Sequence, residues 1–254
     1  MTTPGRLAVQ SNGRVTGLAT ITYNDPFPCT NGQYGSGAMQ GVIMHTMVGN
    51  LPGTIALFND PAAQVSSHFG IAQDGSIHQF GPIGKGWVAW AEMAGNFAWY
   101  SIEHADNGNT ENPLTGAQII ASAQLVEVLS RFAGFPLQVT DSVSGRGYGT
   151  HVMGGAAWGG HTCPGPGPRA GQRTQIITLA EAIQKGTAPA EISYTTTGSQ
   201  SLLGLAASIG SEASSILRRT AIHDGAFAAN VAGYINGGDL SAEMPAGLVL
   251  RVPG

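Results

Sequence analysis

The apolar positions of this chain fall into short runs separated by turn formers. "GVIMHTM" (41–47) is an apolar run flanked by glycines, the pattern of a buried strand, and it carries His45. "VSSHFGIAQDGSIHQFG" (65–81) alternates on both sides of Asp74-Gly75, a dipeptide suited to a tight turn. This predicts a hairpin with His68 on its first strand and His78 on its second. "WYSIEHAD" (99–106) predicts another strand, with Glu103 set among apolar neighbours. "GTIALFND" (53–60) reads as a short helix. "TGAQIIASAQLVEVLSRFAGF" (115–135) has the helical period, Thr115 as N-cap and Gly134 as stop. "RTQIITLAEAIQKG" (173–186) is a second amphipathic helix. Strands mixed with helices predict an α/β fold class built on one central sheet.

Residues 1–40 are rich in turn formers and are expected to wrap a core without forming much of it. "TAPAE" (187–191) breaks the pattern as a linker, which leaves 192–254 as a small separate α+β domain. Charged residues make up 10% of the chain, against about 25% in typical soluble domains. The net charge is −4 with no basic run, so nothing would neutralise a row of phosphates, and nucleic acid is a poor partner. No apolar run approaches the roughly 18–20 residues that span a bilayer, so no membrane insertion is expected. The start has no apolar stretch after a basic one, the mark of a signal peptide. A protein made and held in the cytoplasm is therefore expected, reaching any target outside only after release.

The chemistry concentrates in "GTHVMGGAAWGGHTCPGPGPR" (149–169). One of the two cysteines and two of the seven histidines stand there together, among glycine, alanine and proline. Such a segment buries little apolar surface, so a metal ion is the first candidate for what holds it. His151 and Cys163 sit at the two ends of the loop, and a third ligand must come from elsewhere, with His45 a suitable donor. Imidazole and thiolate donors together favour zinc, which binds them at about 2.0–2.3 Å. Taken singly, a strand histidine is more often a satisfied core group, and a single cysteine a small buried hydrophobe. Two cysteines do not suggest a disulfide framework, and Cys29 is expected to be a free buried thiol.

Taken in order, "GVIMHTM", "VSSHFGIAQDGSIHQFG", "SIEHAD" and "GTHVMGGAAWGGHTCPG" resemble the zinc-dependent N-acetylmuramoyl-L-alanine amidases, the type shared by phage endolysins and peptidoglycan recognition proteins. The resemblance covers about residues 37–186. It implies a central mixed β-sheet flanked by helices, a Zn²⁺ cofactor, and bacterial peptidoglycan as partner and substrate. By this resemblance His45, His151 and Cys163 are the metal ligands. Glu103 matches the strand glutamate that activates water, and His161 the residue that steadies the developing oxyanion. The reaction implied is hydrolysis of the amide between N-acetylmuramic acid and L-alanine by a zinc-activated water. Two departures stand out: Ala91 replaces a histidine that many relatives carry after the tryptophan, and Ser67 replaces a tyrosine.

Ser67 and Trp158 are expected to face substrate, and His68 to be a structural or substrate-facing residue and not a ligand. His104 is expected to be packed or solvent-facing, and His78 to lie on the surface. "YTTTGSQSLLGLAASIGSEASSIL" and "MPAGLVLRVPG" resemble the two ends of a LysM module, a βααβ fold that binds N-acetylglucosamine-containing glycans. The implied protein is an endolysin-like wall hydrolase. The alternatives are a non-catalytic peptidoglycan-binding protein and a zinc peptidase acting on the stem peptide.

Overall fold

The structure is a computed structural model that describes residues 6–18 and 20–186, with the backbone of 192–195 and 249–252. In chain order the elements are β1 (Ala8–Val9), β2 (Val15–Thr16), β3 (Ile21–Tyr23), β4 (Gln33–Tyr34), β5 (Gly41–Thr46) and α1 (Leu51–Asn59). There follow β6 (Phe69–Ile71), β7 (Ile77–Gln79), β8 (Trp87–Val88), β9 (Trp99–His104), α2 (Gly116–Ala133), β10 (Gly147–Thr150) and α3 (Arg169–Lys185). Strands β11 (Ile192–Thr195) and β12 (Val249–Val252) pair antiparallel. The expected linker and the interior of the LysM-like segment lie outside the described residues.

Six strands form one mixed sheet in the order β10-β5-β9-β6-β7-β3. The first four are parallel, β7 turns back antiparallel to β6, and β3 runs parallel to β7. The glycine-flanked run 41–46 is fully buried because it lies in the middle of this sheet with both faces covered. On one face Val42, Met44, Phe69, Ile71 and Ile102 join the apolar side of α2 in the main core. The N-terminus of α2 is closed by a capping box. Thr115 Oγ1 accepts the Gln118 N–H at 3.1 Å, and Gln118 Oε1 accepts the Thr115 N–H at 3.0 Å. Gly134, at φ 76°, ends the helix.

Two expectations change. α3 begins at Arg169, four residues before the predicted start, because Pro168 stands at the N-cap, where its missing N–H costs nothing. The N-terminal segment also enters the core: Leu7, Val15 and Ile21 are buried in the main cluster, and β3 forms an edge of the sheet.

Candidate metal centre and catalytic site

The sheet register builds the site. His45 on β5 lies directly across from Glu103 on β9, so both side chains leave the face opposite α2. Their neighbours fix that direction: Met44 and Ile102 are in the core with α2, and His104 reaches Ser122 of α2. On the other side of β5, β10 ends at Thr150, which pairs with Met44. His151 therefore enters beside His45, with ring centroids 4.6 Å apart. The loop then closes on itself, as the Val152 N–H donates to the Cys163 carbonyl at 3.0 Å. The ligand atoms of His45, His151 and Cys163 all lie within 4.8 Å of one another. His161 is exposed, and its ring stacks on that of His151 at 4.9 Å.

Hydrogen bonds orient the imidazoles. His151 donates Nε2–H to the Trp158 carbonyl at 2.8 Å, which leaves Nδ1 with a free lone pair. His45 has Nε2 3.0 Å from Glu92 Oε1 and Nδ1 3.8 Å from Glu103 Oε1. Burial holds both histidines neutral: His45 is shifted down, and His151 falls to about 4. The acids move the other way. Burial lifts the Cys163 thiol to about 11, with the charge of Glu103 adding to it, and burial raises both Glu103 and Glu92.

These groups fit a bound zinc ion. Two neutral imidazoles and a sulfur converge beside a carboxyl, Glu103, whose Oε2 is buried without a hydrogen-bond partner among the described residues. A cation there would draw the thiol to thiolate and compensate the buried acids.

The structure corrects several expectations. Ser67, His68 and Trp158, expected to face substrate, are all buried. Ser67 is fully buried and donates to the Phe69 carbonyl at 3.1 Å. His68 is also fully buried, edge-on to Trp87 and Tyr100, with Nδ1 accepting the Ser101 N–H at 3.2 Å. Trp158 is 4% exposed and packs with Trp99 and Ile43. It is the apolar anchor of the glycine-rich segment. A Cβ on Gly154 would lie 2.0 Å from its ring, so the turn closes over the indole only with glycine there. His78 is buried, within hydrogen-bond reach of Thr22 at 2.8 Å, because β3 covers it. His104 is packed, and Cys29 is a free buried thiol.

Sequence reasoning missed Glu92. It is fully buried and touches the first metal-ligand candidate from a loop 47 residues away. The available signal was one acidic residue inside an otherwise apolar stretch of a charge-poor chain.

A mixed sheet with α2 and α3 packed on one face, and on the other a His-His-Cys cluster beside Glu103, makes a candidate metal centre in an α/β fold. The N-acetylmuramoyl-L-alanine amidase family profile matches residues 35–166, which contain every group named in this cluster. The chain belongs to that family. It is 32% identical over 126 residues to N-acetylmuramoyl-L-alanine amidase A of Achromobacter lyticus, covering 48% of this chain and 69% of that protein. The hydrolase AmiA of Staphylococcus aureus, solved with its ligand, shares the fold. Its TM-score is 0.52 at 17% identity, over 68% of this chain and 89% of that one. Among the described residues no helix is long and apolar enough to cross a membrane.

Proposed function

We propose that this protein is a zinc-dependent amidase of the endolysin type. It hydrolyses the bond between the N-acetylmuramic acid lactyl group and L-alanine in bacterial peptidoglycan. The observation that carries the reading is the convergence of His45, His151 and Cys163, with Glu103 beside His45. These three residues would hold the ion. The chemistry a zinc ion supplies in such a site is polarisation of the scissile carbonyl and a pKa for bound water lowered to about 7.

The remaining work falls to the chain's own groups. Glu103 has one oxygen near His45 and Oε2 without a partner, so it can take a proton from the attacking water at that atom. Burial raises its pKa, which makes the same carboxyl able to return the proton to the leaving amine. His161, exposed and stacked on His151, is proposed to donate to the tetrahedral oxyanion.

Residues 192–254 are proposed as a LysM-like module that keeps the enzyme on glycan and raises its local concentration. The antiparallel pairing of β11 with β12 suits the first and last strands of such a module. A chain ending at residue 186 should sediment less with isolated cell walls than the full chain; equal sedimentation would remove this role.

Mass spectrometry of digested peptidoglycan, with elemental analysis of the protein, tests the main reading. Glycan chains freed of intact stem peptides, with one zinc per chain, are expected. Cleaved stem peptides would replace it with a peptidase, and binding without products would leave a recognition protein.

A further inference from the structure

Outside the ligand and acid–base groups, a further buried polar side chain meets the metal cluster. Glu92 is fully buried, and its Oε1 lies 3.0 Å from His45 Nε2. Among the described residues its Oε2 has no hydrogen-bond partner, and His45 is the polar contact of this carboxyl. A buried carboxyl with a single partner is expensive unless that partner needs it.

The backbone holds Glu92 in place. Asn96 Oδ1 accepts the N–H groups of Ala91 at 3.0 Å and Glu92 at 2.7 Å, pinning the turn on which the glutamate stands. The next residue, Met93, has φ 46°, a left-handed conformation that a non-glycine residue adopts only under constraint. Gly95 lies so close to Trp158 that a Cβ would sit 2.7 Å from the indole. The turn carrying Glu92 is thus packed against the loop that carries His151 and Cys163.

An imidazole that binds a metal through one nitrogen needs its proton on the other. The Glu92–His45 pair can share its proton in two ways, and only a proton on Nε2 leaves the Nδ1 lone pair free, on the side of Glu103. We propose that Glu92 is a positioning residue: it accepts Nε2–H of His45 and thereby fixes both the ring orientation and the tautomer that presents Nδ1 to a metal ion. His151 is set in the same sense by the Trp158 carbonyl. Both histidines are then held from behind, one by a carboxyl and one by the backbone.

This inference rests on the zinc reading above, so its test separates the two. Zinc affinity of the full chain is measured by chelator competition for the parent, Glu92→Ala, Glu92→Gln and Cys163→Ser. Nitrogen NMR of His45 in the zinc-loaded parent reads the tautomer. Glu92→Ala should bind zinc about 10–100-fold more weakly. Glu92→Gln, which retains an acceptor oxygen at the same reach, should lose less. His45 should carry its proton on Nε2. If Glu92→Ala does not fold, the glutamine variant and the tautomer still decide. Zinc held by Glu92→Ala as tightly as by the parent, equal losses in the two variants, or metal on Nε2 would each overturn the positioning role. If Cys163→Ser loses zinc while Glu92→Ala does not, only this role falls. A parent that binds no zinc takes down both.

Discussion

At the scale of single residues, burial decides what each titratable group can do. Glu103 is raised by desolvation yet keeps one oxygen without a partner, the condition for a group that must both accept and release a proton. Glu103→Gln should leave zinc content unchanged and lower amide hydrolysis by roughly 10²–10⁴-fold. Turnover equal to the parent would move the general base elsewhere. His104 shows the structural counterpart. It is fully buried, donates Nδ1–H to the His45 carbonyl at 3.0 Å and accepts from Ser122 at 2.8 Å. Burial lowers its pKa to about 3, so the folded protein keeps it neutral while the unfolded chain protonates it below about 6.5. The neutral ring's contribution is therefore complete above pH 6.5 and is lost as pH falls toward 3. His104→Asn should cost about 1–3 kcal/mol at pH 7.5. That deficit should shrink by about 1.4 kcal/mol per pH unit below 6.5. Urea titrations at several pH values measure it, and a deficit that stays constant would show that His104 does not titrate this way.

At the scale of elements, position comes from where strands end and what ties their ends. β9 and α3 are joined by Arg169, the fully buried first residue of the helix. Its guanidinium donates to the Asn112 carbonyl at 2.8 Å, to Thr46 Oγ1 at 3.0 Å, and to the carbonyls of His104 and Ala105 at 3.3 and 3.2 Å. The nearby Asp106 accepts from Thr46 at 2.7 Å and from the Gly49 N–H at 2.7 Å. This network closes the end of the sheet just beyond His45 and Glu103. Arg169→Met should destabilise the fold by about 3–5 kcal/mol by stranding these acceptors and the buried charge of Asp106. Arg169→Lys should recover only part, because one ammonium cannot serve the same fan of carbonyls. Chemical denaturation checks both, and a methionine variant as stable as the parent would reduce the network to filler. The elements themselves were readable where local signals agreed. Thr115 and Gly134 announce α2, and the apolar run 41–46 announces β5. The direction of a polar side chain was not readable. Ser67 and His68 fit a substrate-facing pattern, yet the chain that buries them, around Trp87 and Tyr100, is distant in sequence. Glu92 was hidden for the same reason, since it stands on a loop, its partner lies on β5, and no spacing links the two.

At the scale of the whole molecule, the site depends on residues far from its chemistry, and the N-terminal segment is the clearest case. Turn-rich composition masked its contribution, because β3 has only three residues and its apolar positions are isolated. Yet Leu7, Val15 and Ile21 are buried in the main core, and Arg6 and Arg131 both pair with the buried Glu127 on α2. The fully buried Gln79 of β7 is satisfied from this segment: its Nε2 donates to the Gly13 carbonyl at 2.8 Å, and its Oε1 accepts the Val15 N–H at 2.8 Å. Strand β7 pairs with β6, and β6 pairs with the strand that carries Glu103. Removing residues 1–36 would strip Leu7, Val15 and Ile21 from the main core, worth about 1.5–3 kcal/mol each. It would also strand the Gln79 amide and open the sheet edge now covered by β3. That loss is comparable with the entire stability of a typical domain, about 5–15 kcal/mol. The shortened chain should therefore show no cooperative thermal transition and bind no zinc, although it retains His45, Glu103, His151, His161 and Cys163. A shortened protein that melts cooperatively and still binds zinc would show that the sheet from β10 to β7 supports the metal cluster without the N-terminal cover.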